Sequence, residues 1–362
     1  MISRRHLLCA PLLPVLTGCK DSEGKIIGVV PKATSHLFFV SVHAGVEEAA
    51  RQFKVKVLWN GPREETEHTR QIQIVDSMVA QHVDALAISA TDERALAAPV
   101  ERAIKAGIPV TVFDSGVNVE NYISFIATDN YGAGCTAARK LAEMVGKKGS
   151  VGMVMHKPGG TSTVLRERGF EDTLRKEFPE LHIAARQFGM SDAARSRTAA
   201  ENILTAHPGL SGIFASSEAS SLGTIHAIRS RGLSTKVKLI TFDNSDEHVS
   251  ALKDGTIDLM LVQDPRRLGY EAVKSLADKL AGRQPARRLD LPARQITKAD
   301  LEKPEVKALL AGHDRGGSAI CRTRRMRQKQ LGLDNFHFHQ QTAPLRLQNV
   351  DARNDRRMRQ QR

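Results

Sequence analysis

The chain has 362 residues, a formal net charge of +13, and 41% hydrophobic, 26% charged and 4% aromatic residues. That length accommodates two domains, and a hydrophobic content near the globular average leaves burial unrestricted. The charge excludes a general nucleic-acid footprint because it sits at the ends: residues 313–362 carry 12 Lys/Arg against 4 Asp/Glu, and Arg4 and Arg5 add to the other end, so the body is near neutral.

The N-terminal "MISRRHLLCAPLLPVLTGCK" has a positive pair, a short apolar run and small residues before a cysteine, which reads as an export signal over residues 1–19. The run from Leu7 to Leu16, broken by Pro11 and Pro14, is shorter than the roughly 20 residues that span a bilayer. "LTGC" resembles the lipobox of bacterial lipoproteins, which marks Cys19 for lipidation and "KDSEGK" as a polar leash; a plain signal peptide is the alternative. "SRRHLL" also loosely resembles a twin-arginine signal. With Cys9 lost alongside the signal, Cys135 in a helical pattern and Cys321 near the end, no disulfide framework is expected.

From Lys25 onward short apolar runs alternate with helical segments. "KIIGVV", "KVKVLW", "DALAIS" and "PVTVFD" read as strands, and "TRQIQIVDSMVAQHV" and "ALAAPVERAIKAG" as amphipathic helices between them. After "YISFIATD" the alternation restarts with "GSVGMVM", "LHIAARQF", "LSGIFA", "KVKLITFD" and "IDLMLVQD". Branched apolar runs suit parallel strands covered on both faces, and right-handed crossovers place the helices on both sides. The expected class is α/β, with two doubly wound Rossmann-like domains; a TIM barrel is the alternative, disfavoured by the strand number and the break in the middle. Ligands of such sheets lie beyond the carboxyl ends of the strands.

The pattern ends with residues 313–362, where Arg and Gln dominate. This tail reads as a basic segment of low order, an arm for lipid or nucleic acid being the more specific alternative. His337 and His339 in "FHFH" are a weak metal signal, and no metal is expected.

The strand ends carry the functional information. Between Val30 and Val42 there is no glycine, so the first turn cannot hold a pyrophosphate, and no cofactor is expected. "GGTSTVLRERG" is the nearest approach to an anion cradle, but it lacks a P-loop lysine. There is no G-x-S-x-G elbow, no H-E-x-x-H helix and no cysteine cluster, and no enzyme activity is expected. What the strand ends offer is Ser89, Asp114, Asp243 and Gln263, with Arg168 in the "RERGF" helix. Side chains that accept and donate in pairs suit a polyol, and Phe38 and Phe39 offer rings for the apolar face of a sugar. Each has a plainer reading: the phenylalanines as core or staple residues, the aspartates as helix caps, and Ser217 and Glu218 as caps of "SEASSLGTIHAIRSRG".

"SHLFFVSVHAGVEEAA", "PVTVFD", "ATDNYGAG", "GTSTVLRERGFEDTL", "LTAHPGLSGIFASSE", "SLGTIHAI", "LITFDNSDE" and "QDPRRLGYEAV" occur in an order that resembles the ribose-type sugar-binding proteins of bacterial ABC importers. These have the type I periplasmic binding-protein fold, shared with the effector domains of LacI-like repressors. The resemblance spans about Lys25 to Asp300. It implies one lobe from 25–127 plus 264–284, a second from 128–263 plus 285–300, and hinge strands near Ala127–Asp129, Gln263–Asp264 and Arg283–Pro285. The family pocket carries over to His36, Phe38, Phe39, Ser89, Asp114, Ser115, Arg168, Ser191, Ser217, Asp243 and Gln263. Asp114, Arg168, Asp243 and Gln263 keep the family residue type. His36, Ser89 and Ser217 stand for asparagines, Ser115 for an arginine and Ser191 for an aromatic, which points to a pentose other than ribose, a hexose or a related polyol.

The implied function is a lipid-anchored, monomeric sugar receptor of the periplasm or cell surface that closes on a monosaccharide and docks on an ABC permease, with no nucleic-acid partner. A sugar sensor feeding a chemoreceptor or kinase is an alternative. A LacI-like regulator needs a helix-turn-helix, and the residues before Lys25 read as a signal instead.

Overall fold

The structure, a computed structural model, describes residues 24–311. The expected lipidation site Cys19, the signal segment and the tail with His337 and His339 lie outside the described residues. In the first half, strands β1 (Ile26–Val30), β2 (Lys56–Trp59), β3 (Ala85–Ile88), β4 (Val110–Phe113) and β5 (Ser124–Thr128) are separated by helices α1 (Leu37–Phe53), α2 (His68–Ala80) and α3 (Ala97–Lys105) up to β4. The second half continues with α4 (Asn130–Val145), β6 (Gly149–Met155), α5 (Thr161–Glu177), β7 (Leu181–Phe188), α6 (Ala193–Ala206) and β8 (Gly212–Ala215). Then follow α7 (Glu218–Ser230), β9 (Lys238–Phe242), α8 (Asp246–Asp254), β10 (Leu259–Val262), α9 (Pro265–Leu280), β11 (Arg288–Leu291), β12 (Arg294–Ile296) and α10 (Pro304–Leu310).

The strands form two sheets, ordered β11-β5-β4-β3-β1-β2 and β12-β10-β9-β8-β6-β7, parallel throughout except for β10 against β12. Two open sheets exclude the barrel. Interior strands β3, β4, β8 and β10 are buried at every residue, whereas the edge strands β2 and β7 alternate. This is the pattern expected of strands covered on both faces at the centre of a sheet and partly uncovered at its rim. In each sheet the chain reverses direction across the sheet beside its first strand, so a crevice opens at the carboxyl ends there.

Among the described residues the chain crosses between the sheets three times. β5 leads into α4 at Asp129, and β10 leads into α9 at Asp264, each aspartate capping the helix it starts by accepting from Gly132 N and Arg267 N respectively. The third crossing differs from the expectation. It falls at Pro292–Ala293 rather than at 283–285, because β11 still pairs with β5 over Arg288–Leu291 and only β12 joins β10. Residues 288–291 therefore belong to the first sheet, and the second lobe gains α10, whose Val306 enters its core.

The crossing of α4 and α5 positions the site. Gly134 and Gly169 let the two helix backbones meet: a Cβ at Gly134 would lie 2.0 Å from the carbonyl of Arg166, and one at Gly169 would lie 2.2 Å from that of Tyr131. Both residues are thus required by close approach.

Candidate functional site

The carboxyl ends of β1, β4, β6, β9 and β10 converge on one cavity between the sheets. It is lined by Lys32, His36, Phe38, Phe39, Glu65, Asp114, His156, Ser162, Thr163, Arg166, Ser217, Glu218, Ala219, Asp243 and Gln263.

Two carboxylates hold matching places in the two lobes. Asp114 follows β4 and Asp243 follows β9, and both adopt the left-handed region, with φ of 57° and 68°. Such backbone costs about 1–3 kcal/mol at a non-glycine residue and turns each side chain off its strand into the cleft. Asp114 Oδ2 accepts from Ser89 Oγ at 2.8 Å and faces Lys32 Nζ at 3.2 Å. Asp243 Oδ1 accepts from Gln263 Nε2 at 2.7 Å, and its Oδ2 accepts from Glu218 N at 3.1 Å. Gln263 in turn accepts from Thr128 Oγ1 at 2.6 Å, which ties the second lobe's carboxylate to the hinge strand β5. Neither aspartate caps the helix after its own strand; α8, after β9, is capped by Ser245.

The arginine differs from the expectation. Arg168 has a side chain 71% exposed and pairs along the helix with Asp172, outside the cavity; Arg166, 2% exposed, is the cleft residue. Two positions along a helix rotate a side chain by about 200°, so two arginines two apart cannot share a face. The buried face of α5 runs through Ser162, Thr163, Arg166, Phe170 and Thr173. Arg166 Nε donates to Asn130 Oδ1 at 2.8 Å and Nη1 to Ser216 O at 3.0 Å, with the guanidinium 3.8 Å from the centre of the Phe242 ring. Burial lowers its pKa, opposed by Asp243 and Asp114.

Of the residues singled out in the sequence, His36, Phe38, Phe39, Asp114, Ser217, Asp243 and Gln263 line the cavity. Phe38 and Phe39 meet edge to face at 5.0 Å and belong to the core of the first lobe while also lining the cavity. Ser217 likewise caps α7 in a capping box while bonding His156 Nδ1 at 2.8 Å. Three serines stand behind the cavity rather than in its wall. Ser89 supports Asp114, Ser115 Oγ lies 3.2 Å from Thr161 Oγ1, and Ser191, at φ 62°, is buried with no partner for its hydroxyl among the described residues.

The residues not anticipated form an ionic cluster. Lys32 follows β1 and His156 follows β6, the strand-end positions that pointed to Asp114, whereas Glu65 lies in the β2–α2 loop, where no local signal marks it. Burial lowers the Lys32 ammonium, but Asp114 and Glu65 outweigh it and leave its pKa raised. Burial also opposes ionisation of Glu65, yet Lys32, His156 and His36 hold it well below the usual carboxylate range. His36 is raised because Glu65 outweighs its burial, while burial dominates at His156 and lowers it. Beneath the cavity, burial raises Glu167 to about 7, although its carboxylate accepts from His156 N and Ser216 Oγ.

The lobes are closed on each other. Lys157 Nζ donates to Thr91 O at 2.6 Å, Phe38 N to Glu218 Oε2 at 3.1 Å, and Glu93 N to Gly159 O at 3.0 Å. The cavity left is about 30 Å³.

Paired α/β lobes with a hinge and a cleft lined by planar polar groups define a two-lobed receptor for a small polar molecule. The chain belongs to the periplasmic binding protein domain family, which matches residues 27–284. Among its relatives, the ribose import binding protein RbsB of Bacillus subtilis (strain 168) is 28% identical over 271 residues, 75% of this chain and 87% of the relative. A carbohydrate transporter solute-binding protein from Agrobacterium radiobacter in complex with D-arabinose superposes with a TM-score of 0.76 at 32% identity, covering 79% of this chain and 99% of that one. An ABC transporter solute-binding protein from Agrobacterium vitis bound with α-D-tagatopyranose gives a TM-score of 0.76 at 29% identity over 79% and 99% of the two chains.

Proposed function

We propose that this protein is the solute receptor of a sugar ABC importer, closing its lobes on a monosaccharide, a pentose or a hexose. The observation that carries the reading is the pair Asp114 and Asp243, one strained strand-end carboxylate from each lobe, lining one cavity with Arg166, Gln263 and the rings of Phe38 and Phe39. Carboxylates accept from sugar hydroxyls, the guanidinium donates to them, and the rings cover C–H faces. Neither lobe alone supplies the full set, so ligand shifts the open–closed equilibrium toward closure, and the closed pair of lobes is the form a permease recognises. The related solute-binding proteins belong to a transport family and not to an enzyme family, in keeping with binding and release rather than turnover. The same reading takes the protein to the periplasm, held there by a lipid on Cys19.

A thermal-shift screen against monosaccharides tests the reading. A sugar present at 100 times its Kd stabilises the folded state by about 2.7 kcal/mol and raises the melting midpoint. The expected outcome is a rise with one sugar or a few epimers. No shift with any pentose, hexose or polyol at millimolar concentration overturns the assignment.

A further inference from the structure

The β2–α2 loop is pinned beside the cleft by its backbone. Thr34 N donates to Pro62 O at 3.0 Å, Ser35 N to Arg63 O at 3.4 Å, and Ser35 Oγ to Arg63 O at 2.9 Å. Those bonds deliver Glu65 into the cavity with a side chain only 4% exposed, where a loop carboxylate would ordinarily stay in water. Two of its partners come from its own lobe: Lys32 Nζ at 3.6 Å and His36 Nδ1 at 3.5 Å. The third, His156 Nε2 at 2.9 Å, comes from the other lobe and meets Glu65 only when the lobes are shut.

A cavity of about 30 Å³ holds only one or two waters. A monosaccharide therefore enters by exchanging existing contacts, and the Glu65–His156 contact is the one a hydroxyl reproduces best. Burial lowers the His156 imidazole, and because Glu65 is held as a carboxylate that can only accept, the tautomer that satisfies both contacts has Nε2–H donating to Glu65 and Nδ1 accepting from Ser217 Oγ. A hydroxyl placed between them accepts from that N–H and donates to the carboxylate, so both buried groups stay bonded. Charge selects as well. The cavity's charged groups already face one another, Lys32 against Asp114 and Glu65 and Arg166 against Asp243, so an uncharged hydroxyl adds nothing to compensate, whereas a sugar acid or an amino sugar brings one more buried charge.

Resting on the sugar-receptor reading, we propose that Glu65 is a specificity-determining contact: in the complex one hydroxyl of a neutral sugar bridges Glu65 and His156, which makes ligand choice and lobe closure depend on the same hydrogen bond.

The test is isothermal titration of the full chain and its Glu65→Gln and Glu65→Asp variants with the sugar that stabilises the wild type, together with its series of monodeoxy analogues. Glu65→Gln is expected to weaken the parent sugar by about tenfold or more. One deoxy analogue, lacking the bridging hydroxyl, should bind wild type and Glu65→Gln with equal strength, while the others keep the full difference. Glu65→Asp, which keeps the charge but retracts it, should show the same analogue-specific pattern when titrated well below its own melting midpoint, which separates contact from folding. If every deoxy analogue loses the same factor as the parent sugar, Glu65 acts on the shape of the site and the proposal falls. If the wild type binds no sugar, the receptor reading falls with it, an outcome distinct from the first.

Discussion

Replacing Arg166 by lysine isolates geometry from charge at the centre of the cleft. The guanidinium donates to Asn130 Oδ1 at 2.8 Å and Ser216 O at 3.0 Å, lies 3.8 Å from the centre of the Phe242 ring, and has Nη1 4.0 Å from Asp243 Oδ2. A lysine keeps the positive charge but has a single nitrogen, which cannot hold Asn130 and Ser216 and also reach a sugar oxygen. One charge-assisted hydrogen bond to the ligand is then lost, worth about 1.5–3 kcal/mol, or roughly 10- to 150-fold in Kd. Calorimetric titration with the sugar found by thermal shift measures this directly, and Arg168→Ala is the control. Arg168 is exposed and pairs with Asp172 on the same helix, an interaction worth about 0–1 kcal/mol to stability, so its removal should leave Kd unchanged. Binding by Arg166→Lys within about threefold of wild type, or a larger loss in Arg168→Ala, refutes the assignment of Arg166 to the site.

Two further predictions concern the buried acid below the cavity and the segment before the fold. Glu167 binds its proton more tightly in the folded state, with a pKa of about 7 against an ordinary 4.5, so its contribution to stability is complete below pH about 4.5 and is lost as pH rises through 7, on the order of 3 kcal/mol in all. Denaturant titrations of Glu167→Gln and wild type should therefore diverge between pH 5 and 8, the wild type losing ground as pH rises; parallel pH curves would show that the carboxyl does not titrate in this window. Lipidation at Cys19 predicts that Cys19→Ser, expressed in a bacterium that processes lipoproteins, leaves the detergent-soluble membrane fraction for the aqueous one and loses the acyl mass of the mature N-terminus; an unchanged mass refutes the anchor.

The sequence carried the fold because its signal is collective: each strand of the two sheets up to β10 coincides with an apolar run that turn residues bound. β11 and β12 were less legible, since "RLDL" and "RQI" are short rim strands with exposed charged residues, and whichever sheet they join depends on a partner distant in sequence. At the site, residues fixed by a strand end were readable, because a polar residue that closes an apolar run points into the crevice whatever else surrounds it. Asp114, Asp243 and Gln263 are of this kind, and Lys32 and His156 carry the same signal. Arg166 required the helical phase as well: it stands four residues before Phe170, on the buried face, which Arg168 does not share. Glu65 was invisible. Its place depends on bonds from Thr34 and Ser35 to a loop nearly thirty residues away, and nothing in "GPREETEH" distinguishes it from Glu64 or Glu67.

The left-handed backbone at both Asp114 and Asp243 explains why the site needs two lobes and not one larger sheet. A strand that ends in ordinary extended geometry sends its last side chain up or down, into the helical layers. A left-handed residue immediately after the strand turns the carboxylate along the strand axis instead, at about 1–3 kcal/mol of backbone strain for each residue. Such strain persists only if the carboxylate is held, and each one is: Asp114 by Ser89 and Lys32, Asp243 by Gln263 and the N–H of Glu218. These supports lie within each carboxylate's own lobe or at the hinge, so both aspartates keep their aim when the lobes part. What opening removes are the contacts between the lobes, within the cavity those of Glu65 with His156 and of Phe38 N with Glu218, and at its rim those of Lys157 with Thr91 and of Glu93 with Gly159. The cleft thus divides into groups that are preorganised in either state and groups that complete themselves on closure, and a ligand gains the second set only by bringing the lobes together.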